Sequence, residues 1–221
     1  MSVEQLLFDI SEALELPVLV LAVLALVVVV IEAGALLAEM RRRRGRKVWQ
    51  LENAVAECQG RLAAGARPEA LVALLGVARN QAMEEVLAEV LEQVGRPDAE
   101  QRIAKRLAEY DYRSLRRLER TRILVRMGPA LGLMGTLIPL SPALAGLADG
   151  DVATLTDNLR VAFSVTVAGL LIGAIAFAIS LVRDRLYAQD YSDVEYIAAT
   201  LTTPTGNGIP AAQHSHWAVA P

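Results

Sequence analysis

The sequence predicts an all-α membrane protein with three transmembrane helices and a helical segment inserted between the first and the second. Three apolar runs, at residues 17–38, 127–148 and 161–182, lead to this prediction, because about 20 apolar residues are enough to cross a hydrocarbon core ~30 Å thick. The second and third runs contain no ionisable residue, and the first contains only Glu32. A mean hydropathy of +0.37 with 21% charged residues indicates that a large part of the chain also meets water.

Basic residues set the predicted orientation of the three helices. Of the 22 lysines and arginines, 19 lie between Arg41 and Arg126, and two more follow the third run directly. The loop at 149–160 is acidic and has Arg160 as its only basic residue. Because basic loops stay in the cytoplasm, we expect the N-terminus outside a cell (inner) membrane, with residues 40–126 and the C-terminus inside. The arginine cluster borders a membrane exit, so we expect no nucleic-acid site there.

These patterns divide the chain into eight segments. Acidic residues precede the first run, which argues against a cleavable signal peptide. Residues 3–15 suit either an amphipathic helix on the outer membrane surface or an extension of the first span. The predicted segments are an outer amphipathic segment (1–16), the first transmembrane helix (17–39), a cytoplasmic helical domain (40–126), the second transmembrane helix (127–148), an outer acidic loop (149–160), the third transmembrane helix (161–182), a cytoplasmic helix end (183–201) and a disordered tail (202–221).

Helical spacing of apolar residues continues through the segment between the first two spans. Nothing breaks the first helix over 39–62, and a glycine and a proline predict a turn at 65–68. The pattern then predicts a helix over 69–94, a turn at 95–98 and a further helix over 99–121 that continues into the second span. The cytoplasmic part is therefore expected to be a helical bundle, built partly from extensions of the membrane helices.

Motifs for enzymatic chemistry are absent from the sequence. It has no glycine-rich phosphate loop, no HExxH or CxxC motif and no Ser–His–Asp set near an ordered element. The only histidines, His214 and His216, lie in the polar tail without acidic or cysteine ligands nearby, so we expect no metal site. Cys58 is the only cysteine and is expected to pack as a small apolar residue. We therefore expect no enzyme, no catalytic residue and no cofactor.

Closely spaced glycines mark the second and third runs. Gly128 with Gly132, and Gly169 with Gly173, form small-xxx-small repeats that let two helix backbones approach closely. Gly135 extends the first repeat. Two such repeats in adjacent spans predict an oligomer in which several helices pack tightly.

One threonine accompanies each group of glycines. Thr136 follows the glycines of the second run, and Thr166 shares a helix face with those of the third. Each hydroxyl could bond to the carbonyl one turn earlier, or it could face another helix, water or an ion. Pro129, Pro139 and Pro142 also free backbone carbonyls, which neighbours or a wet cavity must satisfy. These features favour an oligomer with a polar central seam.

Glu32 is the only ionisable residue within a predicted span, which makes it a functional candidate. It lies within about two turns of the arginine cluster that follows the first run. Its carboxylate could reach the membrane surface, pair with an arginine of a neighbouring subunit or carry a proton.

The two glycine–threonine segments resemble the MotA/TolQ/ExbB proton-channel family. That family has a G-L-x-G-T motif in one helix and an A-x-x-x-T-x-x-G-L motif in the next, and residues 132–136 and 162–170 are similar to these. The three spans, the outside N-terminus and the large helical insertion are also similar to the TolQ/ExbB branch. The motifs lie within residues 126–185, whereas the similarity in topology covers essentially the whole chain.

The resemblance implies a homo-oligomeric ring, typically a pentamer, around two helices of a single-span MotB/TolR/ExbD-like partner. It further implies that an intramembrane aspartate of the partner carries the proton and that Thr136 and Thr166 line its path. We expect H+ rather than Na+, because no additional acidic ligand accompanies the threonines. The expected function is a ring subunit of a motor driven by the proton motive force. A non-conducting membrane scaffold and a self-contained ion channel are the alternatives.

Two positions depart from the pattern of TolQ and ExbB. Val161 stands where those proteins usually carry a glutamate, and no proline occurs near Ile175. These departures indicate a branch that is distinct from TolQ and ExbB and acts on a different load.

Overall fold

The computed structural model describes residues 3–43, 48–148 and 150–203, and these residues form six α-helices and no strand. The predicted disordered tail lies largely outside the described residues, as do His214 and His216. The helices are α1 (Val3–Arg43), α2 (Val48–Ala63), α3 (Arg67–Leu75), α4 (Gln81–Gln93), α5 (Ala99–Ala148) and α6 (Val152–Thr202).

Three of these helices are long and apolar enough to cross a membrane. They are α1, over Phe8–Arg41, and the whole of α5 and α6. Most of the residues in their apolar windows are not buried in the single chain, as expected for helices that meet lipid or other copies of the chain. The prediction of an all-α protein with three candidate transmembrane helices is confirmed.

The chain folds as two compact units. The first unit comprises the described residues within 1–47 and 108–192, which contribute α1, most of α5 and most of α6. The second unit comprises the described residues within 48–107 and 193–203, which contribute α2, α3, α4, the beginning of α5 and the end of α6.

The core of the first unit is a seam of apolar side chains from all three of its helices. Residues of α1 spaced four or seven apart face inward, which is the spacing of one helix face. The buried set consists of Val18, Ala25, Val29 and Leu36 of α1, Leu131 of α5, and Ile172, Ala176 and Ile179 of α6.

The second unit has its own apolar interior. Its buried side chains come from every helix that contributes to it, including Leu74, Met83, Leu87, Val90, Ile103 and Ile197. Cys58 is fully buried there, and burial raises the pKa of its thiol, so the group packs as a small apolar residue. The guanidinium of Arg79 pairs with Asp193, and the Gln59 amide donates a 2.9 Å hydrogen bond to the Thr200 carbonyl.

The prediction of one helix over 69–94 is wrong, because the structure divides this segment into α3 and α4. Helix α3 ends before Gly76, and α4 begins after Asn80. Asn80 has extended backbone angles, and its side-chain oxygen accepts a 2.9 Å hydrogen bond from the Met83 amide. An asparagine in this geometry caps a new helix.

Two further predictions concern the ends of α1. Helix α1 runs from Val3 through Pro17 without a break, which corresponds to the extension alternative for residues 3–15. A proline within a membrane helix is tolerated where neighbours satisfy the freed carbonyl. The predicted continuity of helix over 39–62 crosses residues 44–47, which lie outside the described residues.

Asp151 starts α6 at the turn that follows α5. Its carboxylate accepts hydrogen bonds from the amides of Ala153 and Thr154 and from the Thr154 hydroxyl. These bonds favour the ionised form and lower the pKa of the carboxyl group, the bond from the Thr154 hydroxyl most of all. The carboxylate also suits the positive end of the helix dipole.

Replacing Asn80 with Ala tests the division between α3 and α4. Loss of the cap is expected to destabilise the first turn of α4 by about 1 kcal/mol. Hydrogen–deuterium exchange on the full chain should then show roughly fivefold faster exchange of the amides at residues 82–84. Asn53→Ala is the matched control, because Asn53 is exposed within α2 and should show no such local change. Equal protection of α4 in the Asn80→Ala variant would contradict the capping role.

Candidate functional site

Helices α5 and α6 lie antiparallel and touch along their backbones. The contacts link Gly128 with Gly173 at one end and Gly146 with Thr154 at the other, so residue numbers rise on one helix as they fall on the other. We call this part of the α5–α6 contact the glycine seam, which comprises Gly128, Gly132, Gly135 and the adjacent Thr136 of α5 and Thr166, Gly169 and Gly173 of α6.

Within the glycine seam, the backbones of the two helices come closest at Gly128 and Gly169. A Cβ atom added to Gly169 would lie 2.5 Å from the Gly128 carbonyl oxygen and 2.7 Å from the Gly132 Cα. A Cβ added to Gly128 would lie 2.7 Å from the Gly169 carbonyl oxygen and 2.7 Å from the Gly173 nitrogen. No side chain fits in this space, so the two backbones can meet only where both helices carry glycine.

The other glycines of the seam meet side chains. A Cβ on Gly135 would lie 2.2 Å from a methyl group of Val165, and a Cβ on Gly173 would lie 2.9 Å from the Pro129 ring. The ring of Pro129 and its missing amide leave the carbonyl of Val125 without its usual helical donor. The Cβ position of Gly173 is 3.5 Å from that carbonyl oxygen, so α6 covers the freed group at this point.

The hydroxyl of Thr166 bridges the two helices. Its Oγ1 lies 3.1 Å from the Gly132 carbonyl oxygen on α5 and 3.1 Å from the Ala162 carbonyl oxygen one turn earlier on α6. Both alternatives considered for this residue therefore occur at once: the hydroxyl bonds back to its own helix and also faces the neighbouring one. The side chain is half-buried.

The hydroxyl of Thr136 stays on its own helix. It donates a 2.7 Å hydrogen bond to the Leu133 carbonyl, and the side chain is partly exposed. Thr136 lies one turn beyond Gly132, the residue whose carbonyl accepts from Thr166, so the two threonines belong to neighbouring turns of the same seam. Their hydroxyl hydrogens point at backbone carbonyls, which leaves lone pairs of each oxygen for an outside donor or cation.

Glu32 pairs with an arginine of the same chain. The Arg183 Nη1 is 2.6 Å from the Glu32 Oε2 and also donates a 3.2 Å hydrogen bond to the buried Thr121 hydroxyl. Of the roles considered for Glu32, pairing with an arginine is the one that the structure contains, but that arginine is Arg183 of the same chain, directly after the third run. Sequence reasoning did not find this partner, because the two residues lie on helices that are far apart along the chain.

The glycine seam and its threonines occupy the part of the chain that known proteins share. A scan against protein-family models matches residues 78–194 to the MotA/TolQ/ExbB proton channel family, which is just over half of the chain. The chain belongs to the MotA/TolQ/ExbB proton channel family. A comparison with curated proteins finds no match.

Membership of the MotA/TolQ/ExbB family makes this a multi-pass membrane protein of the proton-channel type, and the family is a transport family rather than an enzyme class. The matched residues include all of α4 and α5 and most of α6, and therefore the whole glycine seam. Helix α1 and Glu32 lie outside the match.

Gly169→Ala should destabilise the first unit, because the new methyl group would overlap the α5 backbone and push the helices apart. The expected loss in the free energy of unfolding is about 1–3 kcal/mol. Thermal unfolding of the solubilised full chain, followed by circular dichroism, would measure it.

Gly34→Ala is the matched control for this experiment. Gly34 also lies within a membrane helix, but nothing stands within 4 Å of its Cβ position. Alanine is the better helix former, so this variant should be as stable as the natural chain or up to about 1 kcal/mol more stable. Equal stability of the two variants would contradict the close backbone contact.

Proposed function

We propose that the chain is a ring subunit of an ion-driven membrane motor, which couples proton flow to mechanical work through a single-span partner. The observation that carries this proposal is the arrangement of the Thr136 and Thr166 hydroxyls. Both donate to carbonyls of the chain, within a seam that belongs to a proton-channel family. The oxygens are therefore acceptors towards anything that approaches from outside the chain.

An acceptor suits a protonated carboxyl group better than an ionised one. A carboxylic acid can donate its hydrogen to the threonine oxygen, whereas a carboxylate offers only acceptors and would be desolvated without a partner. The seam therefore favours the neutral, proton-carrying form of a carboxyl group that enters it. Sodium would also suit oxygen acceptors, but no acidic ligand within the glycine seam accompanies the threonines, so we favour protons.

That carboxyl group has to come from another chain. The second and third apolar runs contain no aspartate or glutamate, and the carboxylate of Glu32 on α1 is held by Arg183. A partner with one membrane-spanning helix and an aspartate within it would supply the missing group. Several copies of this chain, five in the proposed ring, would then enclose the partner helices.

The exposed apolar side chains agree with such an assembly. On α6 they include Phe163, Val167 and Leu170, which lie on one face of the helix and are exposed on the single chain. Contacts with lipid and with neighbouring copies would bury this face. We propose the orientation that the basic residues predict, with the N-terminus outside and both residues 40–126 and the C-terminus in the cytoplasm.

The motor function is tested by purifying the assembly from its native membranes through a tag on this chain. We expect a protein with one apolar span and an intramembrane aspartate to co-purify. Vesicles that contain the assembly should take up protons when a membrane potential is imposed, as reported by an enclosed pH-sensitive dye. Vesicles with this chain alone should not. Proton uptake by the chain alone would indicate a self-contained channel, and an oligomer without partner or uptake would indicate a scaffold.

Thr166→Val should abolish proton uptake while the assembly remains intact. Valine keeps the shape of threonine but removes the oxygen, and the lost hydrogen bond to Gly132 costs only about 0.5–1.5 kcal/mol. Thr166→Ser should keep much of the uptake, because it keeps the oxygen. Size-exclusion chromatography and the vesicle assay together measure both properties.

Thr156→Val is the control for the loss of a threonine hydroxyl. Thr156 lies on the same helix, is exposed and bonds only to the carbonyl of Val152 one turn earlier. Proton uptake by this variant should equal that of the natural assembly. Full uptake by the Thr166→Val assembly would remove Thr166 from the ion path.

A further inference from the structure

Two largely buried ion pairs join α1 to α6 within the first unit, and Glu32 is the most exposed of the four side chains at 22%. The first is the 2.6 Å contact between Glu32 of α1 and Arg183 of α6. The second is a 2.8 Å contact between Arg43 Nη2 of α1 and Asp190 Oδ2 of α6. The side chains of Arg183 and Asp190 are 9% and 1% exposed. We call these two pairs the α1–α6 clasp.

Further polar groups complete each pair. Arg183 also donates to Thr121 of α5, which is fully buried, and Arg43 also pairs with Glu39 one turn earlier on α1. Burial lowers the pKa of Arg43, but its bonds to Asp190 and Glu39 outweigh burial and raise it, so the guanidinium stays charged. The clasp therefore holds charges that are compensated inside the protein rather than by water.

The acid and the base of the clasp follow one another in opposite order on the two helices. On α1 the acid comes first and the base about three turns later, while on α6 the base comes first and the acid about two turns later. Reversing the direction of α1 would set Glu32 beside Asp190 and Arg43 beside Arg183. Sliding α1 until Arg43 reached Arg183 would also bring like charges together. Of these alignments, only the observed parallel one pairs each acid with a base. The clasp therefore fixes the direction and the register of α1 against α6.

Within the clasp, the carboxylate of Glu32 is paired with the guanidinium of Arg183. Removing the Glu32 carboxylate would leave the buried guanidinium of Arg183 without its charged partner, which is strongly unfavourable. We infer that Glu32 is a positioning residue, which acts through Arg183 to hold α1 in register against the α5–α6 pair, and that it does not carry the transported ion. This inference rests on the proposed function only where ion flow is measured.

The inference predicts that Glu32 and Arg183 depend on each other. In the full chain, Glu32→Gln and Arg183→Gln should each lower the midpoint of thermal unfolding by roughly 10 °C, since each leaves an unpaired buried group. The double variant should recover at least half of that loss. The charge exchange Glu32→Arg with Arg183→Glu should also unfold at a higher temperature than either single charge reversal.

The exposed pair of Arg122 and Asp184 supplies the matched control. It joins α5 to α6 next to the clasp, at 3.4 Å, with side chains 55% and 58% exposed. Asp184→Asn should shift the midpoint by less than about 2 °C, because exposed pairs contribute little. Single clasp variants that unfold at the same temperature as Asp184→Asn would overturn the inference, and so would a double variant that is no more stable than the single variants.

Proton uptake by vesicles with the tagged assembly distinguishes positioning from ion transport. The double variant Glu32→Gln with Arg183→Gln has no carboxylate at this place, yet it should retain at least half of the natural uptake. A stable double variant without uptake would show that this pair takes part in ion transport and would overturn the inference. If the natural assembly itself shows no uptake, the proposed function fails, while the unfolding measurements still decide whether the clasp exists.

Discussion

The first unit depends on the absence of a side chain at the point where Gly128 of α5 meets Gly169 of α6. Gly128 and Gly169 let the two backbones approach so closely that an added Cβ on Gly169 would lie 2.5 Å from the opposite carbonyl oxygen. Only at this separation can the Thr166 hydroxyl reach the Gly132 carbonyl across the contact. Lipid offers little hydrophobic driving force for joining helices, so close packing and hydrogen bonds of this kind have to hold them.

The same contact determines what the threonines can do. Because their hydrogens are directed at carbonyls of the chain, the oxygens act as acceptors towards the outside. The described chain also holds the carboxylate of Glu32 against Arg183. In the proposed function, a polar seam without an available carboxyl group of its own needs a partner that supplies one.

Much of this arrangement could be predicted from the sequence. Three apolar runs of sufficient length mark the candidate membrane helices, and the glycines mark where two of them meet, because both features depend on local composition. The break between α3 and α4 was missed, although Gly76 and Asn80 carry a local signal for it. The partner of Glu32 had no such signal, since only the packing of α1 against α6 brings Arg183 to it. The contact of the Thr166 hydroxyl with the Gly132 carbonyl also depends on a distance between helices that cannot be read from the sequence.

A cryo-electron microscopy structure of the assembly purified with its partner tests the proposed ion path most directly. It shows whether the threonines face a carboxyl group of the partner. We expect copies of this chain to form a ring around the partner helices. A partner carboxyl oxygen should lie within about 3.2 Å of the Oγ1 of Thr136 or Thr166 in at least one copy. A structure in which these threonines face lipid, or only neighbouring copies without a carboxyl group, would contradict the proposed ion path.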